Sequence, residues 1–180
     1  MDTYEFTIVA SGVDPEAENF EDAFFEAGCD DATIAFQRGM LILDFARESK
    51  SFIHALVSAV RDVVKAGAKI ERIEPDPLVS LSDIAKRTGL TKAAISHYAH
   101  GQRAAGFPPP VSRITTDNPL WDWVDVARWM RSTHKADLSV DDVLAARAVK
   151  DCNFFIVAGR TKSHLSPRTR SSGKRTLVAA

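Results

Sequence analysis

The stretch Ser80-Leu-Ser-Asp-Ile-Ala-Lys-Arg-Thr-Gly-Leu-Thr-Lys-Ala-Ala-Ile-Ser-His-Tyr98 decides how the second half of the chain is built. Ser80 and Asp83 have the spacing of a capping box, with Val79 and Ile84 placed as a hydrophobic staple, so a helix starts here. Gly89 ends it, since a residue without a Cβ takes the left-handed closing conformation at least cost. Leu90 and Thr91 open a second helix, Thr91 as its N-cap and Leu90 stapled onto Ile95. Ile84, Leu90 and Ile95 are the buried positions, and Ala85 is small where the two helices approach. The pair reads as a helix-turn-helix. Its second helix turns Thr91, Lys92, Ala93, Ser96 and His97 outward. Short, polar side chains near a helix N-terminus can enter a major groove and meet base edges or phosphates.

Downstream, Gly106-Phe-Pro-Pro-Pro-Val111 is a stiff segment that leads through Arg113 to a turn at Thr116-Asp-Asn-Pro119. This predicts a short hairpin followed by an amphipathic helix over Trp123-Val-Asp-Val-Ala-Arg-Trp-Met130. Trp121, Trp123 and Trp129 lie beside that hairpin and on one helical face, the placement of core residues rather than base-stacking platforms. Residues 80–131, with an Asp-Ile-Ala start, a Gly-Leu-Thr turn, a Phe-Pro-Pro-Pro-Val entry and a Trp-Asp-Trp-Val-Asp-Val-Ala-Arg-Trp exit, resemble the MerR-like, excisionase-type winged helix-turn-helix family. The resemblance implies binding of double-stranded DNA, with Thr91 to His100 in the major groove. It also makes the hairpin a wing that carries Arg113 near the backbone or the minor groove. The expected DNA-binding set is Thr91, Lys92, Ala93, Ser96, His97, His100, Arg103 and Arg113. The wing tip departs from the pattern in holding Asp117 and Asn118 and little positive charge.

Toward the N-terminus, Glu74-Pro-Asp-Pro77 can continue neither a helix nor a central strand. It divides a first domain, residues 1–76, from a second, residues 78–158. In the first, residues 4–10 alternate, with Phe6, Ile8 and Ala10 on one face. Asp14-Pro15 is read as a helix start, with Phe20, Ala23, Phe24 and Ala27 as the stripe and Gly28 as the end. Residues 32–36 and 40–46 are two strands joined at Gln37-Arg-Gly39. Ser51 caps a second helix with the stripe Ile53, Leu56, Val57, Val60 and Val64, closed by Gly67 before a last strand at 68–73. The order βαββαβ predicts an α+β, ferredoxin-like domain with both helices on one face of the sheet. Thr7, Val9, Thr33, Ala35, Met40, Ile42 and Asp44 fall on the other face, a surface for dimerisation, for a protein partner, or for the second domain.

The net charge of -1 hides an asymmetry: residues 1–80 hold seven Lys and Arg against 16 Asp and Glu, whereas residues 81–180 hold 16 against eight. The acidic half argues against RNA on its sheet, because recognition domains of that kind carry stacking aromatics on a basic surface. Ser139 caps a further helix with Val140, Val143, Leu144 and Ala148, and the apolar run at 153–158 is expected to be buried on a sheet edge or a dimer partner. Residues 159–180 hold Arg160, Lys162, Arg168, Arg170, Lys174 and Arg175 without an acid, a basic disordered tail suited to neutralising phosphates.

Several classes of chemistry have no support in the sequence. No Gly-x-Ser-x-Gly elbow, Walker loop, dinucleotide fingerprint or His-Glu-x-x-His occurs, so an enzyme is not expected. His97 and His100 have ligand spacing but no third ligand, and no metal or cofactor is expected. Cys29 and Cys152 form no disulfide framework, and no signal peptide or membrane span is evident, which predicts a cytoplasmic protein. The reading is a sequence-specific transcriptional regulator, a homodimer on paired half-sites. The alternatives are an antitoxin-like module whose acidic half binds a protein partner and which regulates its own promoter, and an excisionase-like architectural protein that bends DNA.

Overall fold

The computed structural model describes residues 1–165. Its first half runs β1 (Asp2–Ser11), α1 (Phe20–Ala27), β2 (Ala32–Gln37), β3 (Met40–Ser49), α2 (Phe52–Lys65) and β4 (Lys69–Glu74). The strands form one sheet in the order β2-β3-β1-β4, every neighbouring pair antiparallel. Alternation sets the core: Phe6, Ile8 and Ala10 pair with Phe45, Leu43 and Leu41, and all six are buried on the helix side. β2 and β3 are joined by Arg38 and Gly39, both at positive φ (55° and 77°), the two-residue turn whose twist matches an antiparallel pair.

Two details of this half differ from the sequence reading. Helix α1 begins only at Phe20, because Asp14 accepts a hydrogen bond from the Glu16 amide and closes a local turn instead of capping a helix. Helix α2 buries Ala55, Leu56, Ala59 and Val63, while the expected core residues Ile53, Val57 and Val64 are 48%, 58% and 56% exposed. Both stripes are apolar, and the winner is the one with two alanines. Small side chains let α2 lie close to the sheet, which four β-branched residues would hold off.

Nothing in the sequence pattern singles out Arg47, which is buried. Its Nε and Nη2 bind Asp31 as a fork (2.7 and 2.8 Å), Nη1 reaches Asp62 (2.8 Å) and Ser58 (2.9 Å), and Nη2 also donates to the Gly28 carbonyl (2.6 Å). Every donor is used, chiefly on Asp31, and Arg47 is held above the usual arginine range. The knot ties β3, the end of α1 and α2 together. Gly28 is required twice over there: its φ is 103°, and an added Cβ would lie 3.3 Å from an Asp62 carboxylate oxygen. Cys29, next along, is buried, which pushes its thiol up to about 11 and leaves it protonated.

The second half continues with β5 (Leu78–Val79), α3 (Leu81–Thr88), α4 (Lys92–Ala99), β6 (Trp121–Asp122), α5 (Trp123–Ser132) and α6 (Val140–Leu165). β5 pairs with β6. The expected hairpin exists only at its base, where Ser112 bridges Leu120; residues 113–119 are a loop, turned at Thr116, whose amide and hydroxyl both bond to the Arg113 carbonyl. Val79, Ile84, Ile95, Trp121, Val126, Ala127 and Met130 form a second core, separate from that of the sheet.

Helix α6 joins the two cores. Val143 and Ala146 pack on the second, Val149, Cys152 and Ile156 on the first. Asn153 accepts from the Ile73 amide and donates to the Ile73 carbonyl (2.8 Å each), so a side-chain amide occupies the free edge of β4 as a neighbouring strand would. The apolar run at 153–158 is thus helical and only partly buried: Asn153 and Ile156 turn inward, while Phe154 and Phe155 are 67% and 70% exposed. The first seven residues of the segment expected to be disordered are also helical, and the rest of it lies outside the described residues. Among the described residues no helix is long and apolar enough to cross a membrane.

Replacing Arg47 by Ala strands two carboxylates near the core and is expected to cost about 3–5 kcal/mol. Urea unfolding followed by circular dichroism measures it; a loss below about 1 kcal/mol, the ordinary range of an exposed pair, would show that the knot is not structural.

Candidate nucleic-acid interface

Helix α4 starts because Thr91, in extended backbone, accepts from the Ala94 amide (3.1 Å) and satisfies a donor that the first turn leaves free. The turn before it is set by Gly89, left-handed at φ 69°, and by α3, whose capping box is complete: Ser80 donates from its amide (2.9 Å) and hydroxyl (2.6 Å) to Asp83, and the Asp83 amide donates back. Those bonds from Ser80, side chain first, hold the Asp83 carboxyl below the usual carboxylate range.

Burial fixes which face of α4 is offered. Ile95 is fully buried and Tyr98 packs on Trp129, with ring centroids 5.4 Å apart. Thr91, Lys92 and Ala93 are exposed, Ser96 and His97 half-buried, and His100 exposed. The His97 Nδ1 lies against the Gln102 side-chain oxygen, and the His100 Nδ1 donates to the Ser96 carbonyl at 2.7 Å. With Nδ1 engaged, each neutral ring presents Nε2 as an acceptor, and a protonated ring presents it as a donor. Six of the eight expected residues thus belong to one helix and its caps.

The other two sit on loops. Arg103 is exposed in the segment after α4, and Arg113 is exposed at φ 52° beyond the Ser112–Leu120 bridge. What places both on the same body as α4 is a chain of rings: Tyr98 on Trp129, Trp129 on Phe107 (5.0 Å), Phe107 on Trp121 (6.4 Å). The indole nitrogens of Trp129 and Trp121 donate to the carbonyls of Ala105 (3.3 Å) and Pro108 (3.1 Å), so each buried N–H is satisfied.

Two cations nearby are committed elsewhere, and the sequence pattern could not tell them from free ones. Arg87 lies over Trp123 at 5.1 Å and donates to the Asp76 carbonyl (2.8 Å); burial lowers its pKa below the usual arginine value. Lys150 pairs with the buried Asp122, the residue that caps α5 by accepting from the Val124 amide (2.9 Å). The only advance signal for Asp122 was its place before Trp123, which suits an N-cap.

The open sheet face is different in kind. Thr33, Ala35 and Asp44 are exposed, and the second core does not pack on them. A shallow depression of about 490 Å³ there is lined by Glu5, Asp44 and Glu74 around Thr7, Ala46 and Pro75. Among the described residues no group of three His, Cys, Asp or Glu side chains gathers in a metal-binding arrangement. Comparisons with family models, curated proteins and solved structures find nothing similar to this chain.

All three tryptophans lie in the second core, so their fluorescence reports on that half alone. Folding favours the ionised form of Asp83; its stabilisation is complete above the ordinary aspartate value near 3.9 and is lost as pH falls through the lower folded value. The fluorescence-detected midpoint in urea is expected to fall below about pH 4, with a shallower fall for Asp83→Asn. Identical pH profiles for the two chains would contradict this role of the capping box. Trp129→Ala is expected to destabilise the second half by about 3–5 kcal/mol in the same assay, and a loss under about 1 kcal/mol would remove it from the core.

Proposed function

We propose that the chain is a sequence-specific regulator of transcription that binds double-stranded DNA. Its second half is a winged helix-turn-helix, with α4 in the major groove and the loop at 113–119 as a short wing. Its first half is a ferredoxin-like domain, a reading supported by the element order and by the strand order β2-β3-β1-β4. The observation that carries the proposal is the division of α4: Ile95 and Tyr98 hold it from behind, while Thr91, Lys92 and Ala93 stand exposed at its N-terminus and nothing among the described residues covers them. That is the arrangement in which short side chains reach base edges while the helix N-terminus meets phosphate. Lys92, Arg103 and Arg113 supply positive charge, and the excess of Lys and Arg after residue 80 supplies a field that draws a polyanion.

A second reading rests on the open, acidic sheet face. Glu5, Asp44, Glu48 and Glu74 lie on it, with one cation, Arg72, ion-paired to Glu74 and Asp76 and small or apolar residues between; the acidic excess suits a basic protein partner of the kind an antitoxin-like module neutralises. Stoichiometric binding of a basic protein by the full chain, abolished by Glu5→Lys with Asp44→Lys, would favour this reading.

For the leading proposal the decisive variant is Lys92→Ala with Arg113→Ala, measured on a selected duplex and on an unrelated one. The specific affinity is expected to fall at least tenfold, and the slope of affinity against salt to shrink by about 2, one for each phosphate left without its cation. Unchanged specific affinity would overturn the assignment of the reading surface.

A further inference from the structure

From the end of α4 we infer that this helix selects exocyclic amino groups, those of adenine or cytosine, through two imidazoles whose tautomers the fold sets in advance. His97 and His100 are then specificity-determining residues, and Gln102 is a positioning residue for His97. The inference rests on the DNA-binding proposal above and names the base chemistry that α4 takes. Helical geometry sets the row that faces away from the core. Ala93, His97 and His100 are spaced by four and three residues, so at about 100° per residue they fall within an arc of about 60°. Ile95 and Tyr98, which hold α4 to the second core, lie on the opposite side, and Lys92 and Ser96 lie on one flank of the row. The two rings are attached about 4.5 Å apart along the helix axis. That is close to the rise of about 3.4 Å between base pairs, so the rings meet neighbouring pairs.

The way α4 ends decides which ring nitrogen is left over. Gly101 turns left-handed at φ 68°; its amide donates to the Tyr98 carbonyl (3.0 Å) and the Gln102 amide to the His97 carbonyl (2.9 Å). These two bonds close the helix and bring the chain back against its last turn. The Gln102 side-chain oxygen thereby comes to lie against the His97 Nδ1. The His100 Nδ1 meets the Ser96 carbonyl at 2.7 Å, with the Ser96 hydroxyl 3.4 Å away. A carbonyl oxygen only accepts, so in each neutral ring Nδ1 carries the proton and Nε2 keeps its lone pair.

Two outward acceptors in one row restrict what the row can meet. In the major groove the donors are adenine N6 and cytosine N4, whereas guanine N7 and O6 and thymine O4 are acceptors and would leave the imidazole lone pair without a partner. Lys92, Arg103 and Arg113 carry donors only, so phosphates and amino groups are met by different side chains. The two locks are independent of each other. His97 is held through the Gln102 side chain and His100 through backbone, so a change at residue 102 releases one ring and leaves the other as an internal reference.

Long-range proton–nitrogen NMR correlation spectra of the full chain without DNA, at about pH 8.5 and so above the ordinary imidazole range, report the tautomer of each ring. Both are expected in the Nδ1–H form. Gln102→Leu should release His97 to a mixture of tautomers and leave His100 unchanged, and Gln102→Glu, which keeps an oxygen at that place, should restore the Nδ1–H form. A main Nε2–H form of either ring in the unaltered chain, or a His97 signal indifferent to Gln102→Leu, would overturn the lock. The base assignment is tested on a selected duplex, at the base pair whose preference His97→Ala abolishes. Removing the exocyclic amino group there, with purine for adenine or pyrimidinone for cytosine, should weaken binding by the unaltered chain about two- to tenfold and by His97→Ala not at all. Exchanging the purine N7 of that pair for carbon should cost neither chain anything. A cost at N7 that disappears in His97→Ala would mean that the ring donates, and would overturn the inference while leaving DNA binding in place. A duplex library from which no motif is enriched would overturn the DNA-binding proposal and the base assignment with it.

Discussion

Whatever α4 does depends on one indole. Trp129 takes Tyr98 from α4 on one side and Phe107 from the proline segment on another, and its N–H reaches the Ala105 carbonyl. An eight-residue helix has little stability of its own and is fixed by tertiary contacts. Here those contacts are Ile95 in the middle of the helix and Tyr98 near its end, both delivered to the core that α5 builds. The proline segment, stiff by itself, becomes a strut only because Phe107 and Trp121 meet at its far side. Without the ring cluster, α4 and the 113–119 loop would be two separate mobile pieces.

A second set of contacts joins the halves. Asp122 caps α5 and pairs with Lys150 of α6, and about one turn farther along the same helix carries Asn153, which closes the edge of β4. The prolines at 75 and 77 mark a boundary in the chain, but α6 crosses back over it and belongs to both cores. An acidic half and a basic half are thus joined by one long helix rather than strung on a linker. An acidic half repels a polyanion and a basic half attracts one, so under the proposed function the charge division would restrict which surface a duplex could approach.

What is legible in the sequence is what depends on neighbours along the chain. Alternation in β1 and β3, the capping box at Ser80, the glycine turn at Gly89 and the N-cap at Thr91 are local devices, and each stands where the pattern puts it. What stays hidden depends on distant partners. Arg47 looks like any strand-end cation until Asp31, Ser58 and Asp62 close around it. Helix α2 offers two apolar stripes, and only the fit to the sheet chooses the one with alanines. The run Asn153-Phe-Phe-Ile-Val-Ala158 reads as a segment to be buried whole because six residues cannot display a helical period; it is part of a 26-residue helix that leaves Phe154 and Phe155 exposed. Of the candidate site, the α4 residues are legible for the local reason, while the sequestering of Arg87 and Lys150 is not.

That α4 reads base sequence is tested most directly by selecting duplexes from a random-sequence library with the full chain at about 0.15 M salt, where non-specific phosphate binding is weak. We expect enrichment of a defined motif whose strongest positions are lost when Thr91, Lys92 and Ala93 are altered. A pool that stays indistinguishable from the starting library through repeated rounds would contradict it.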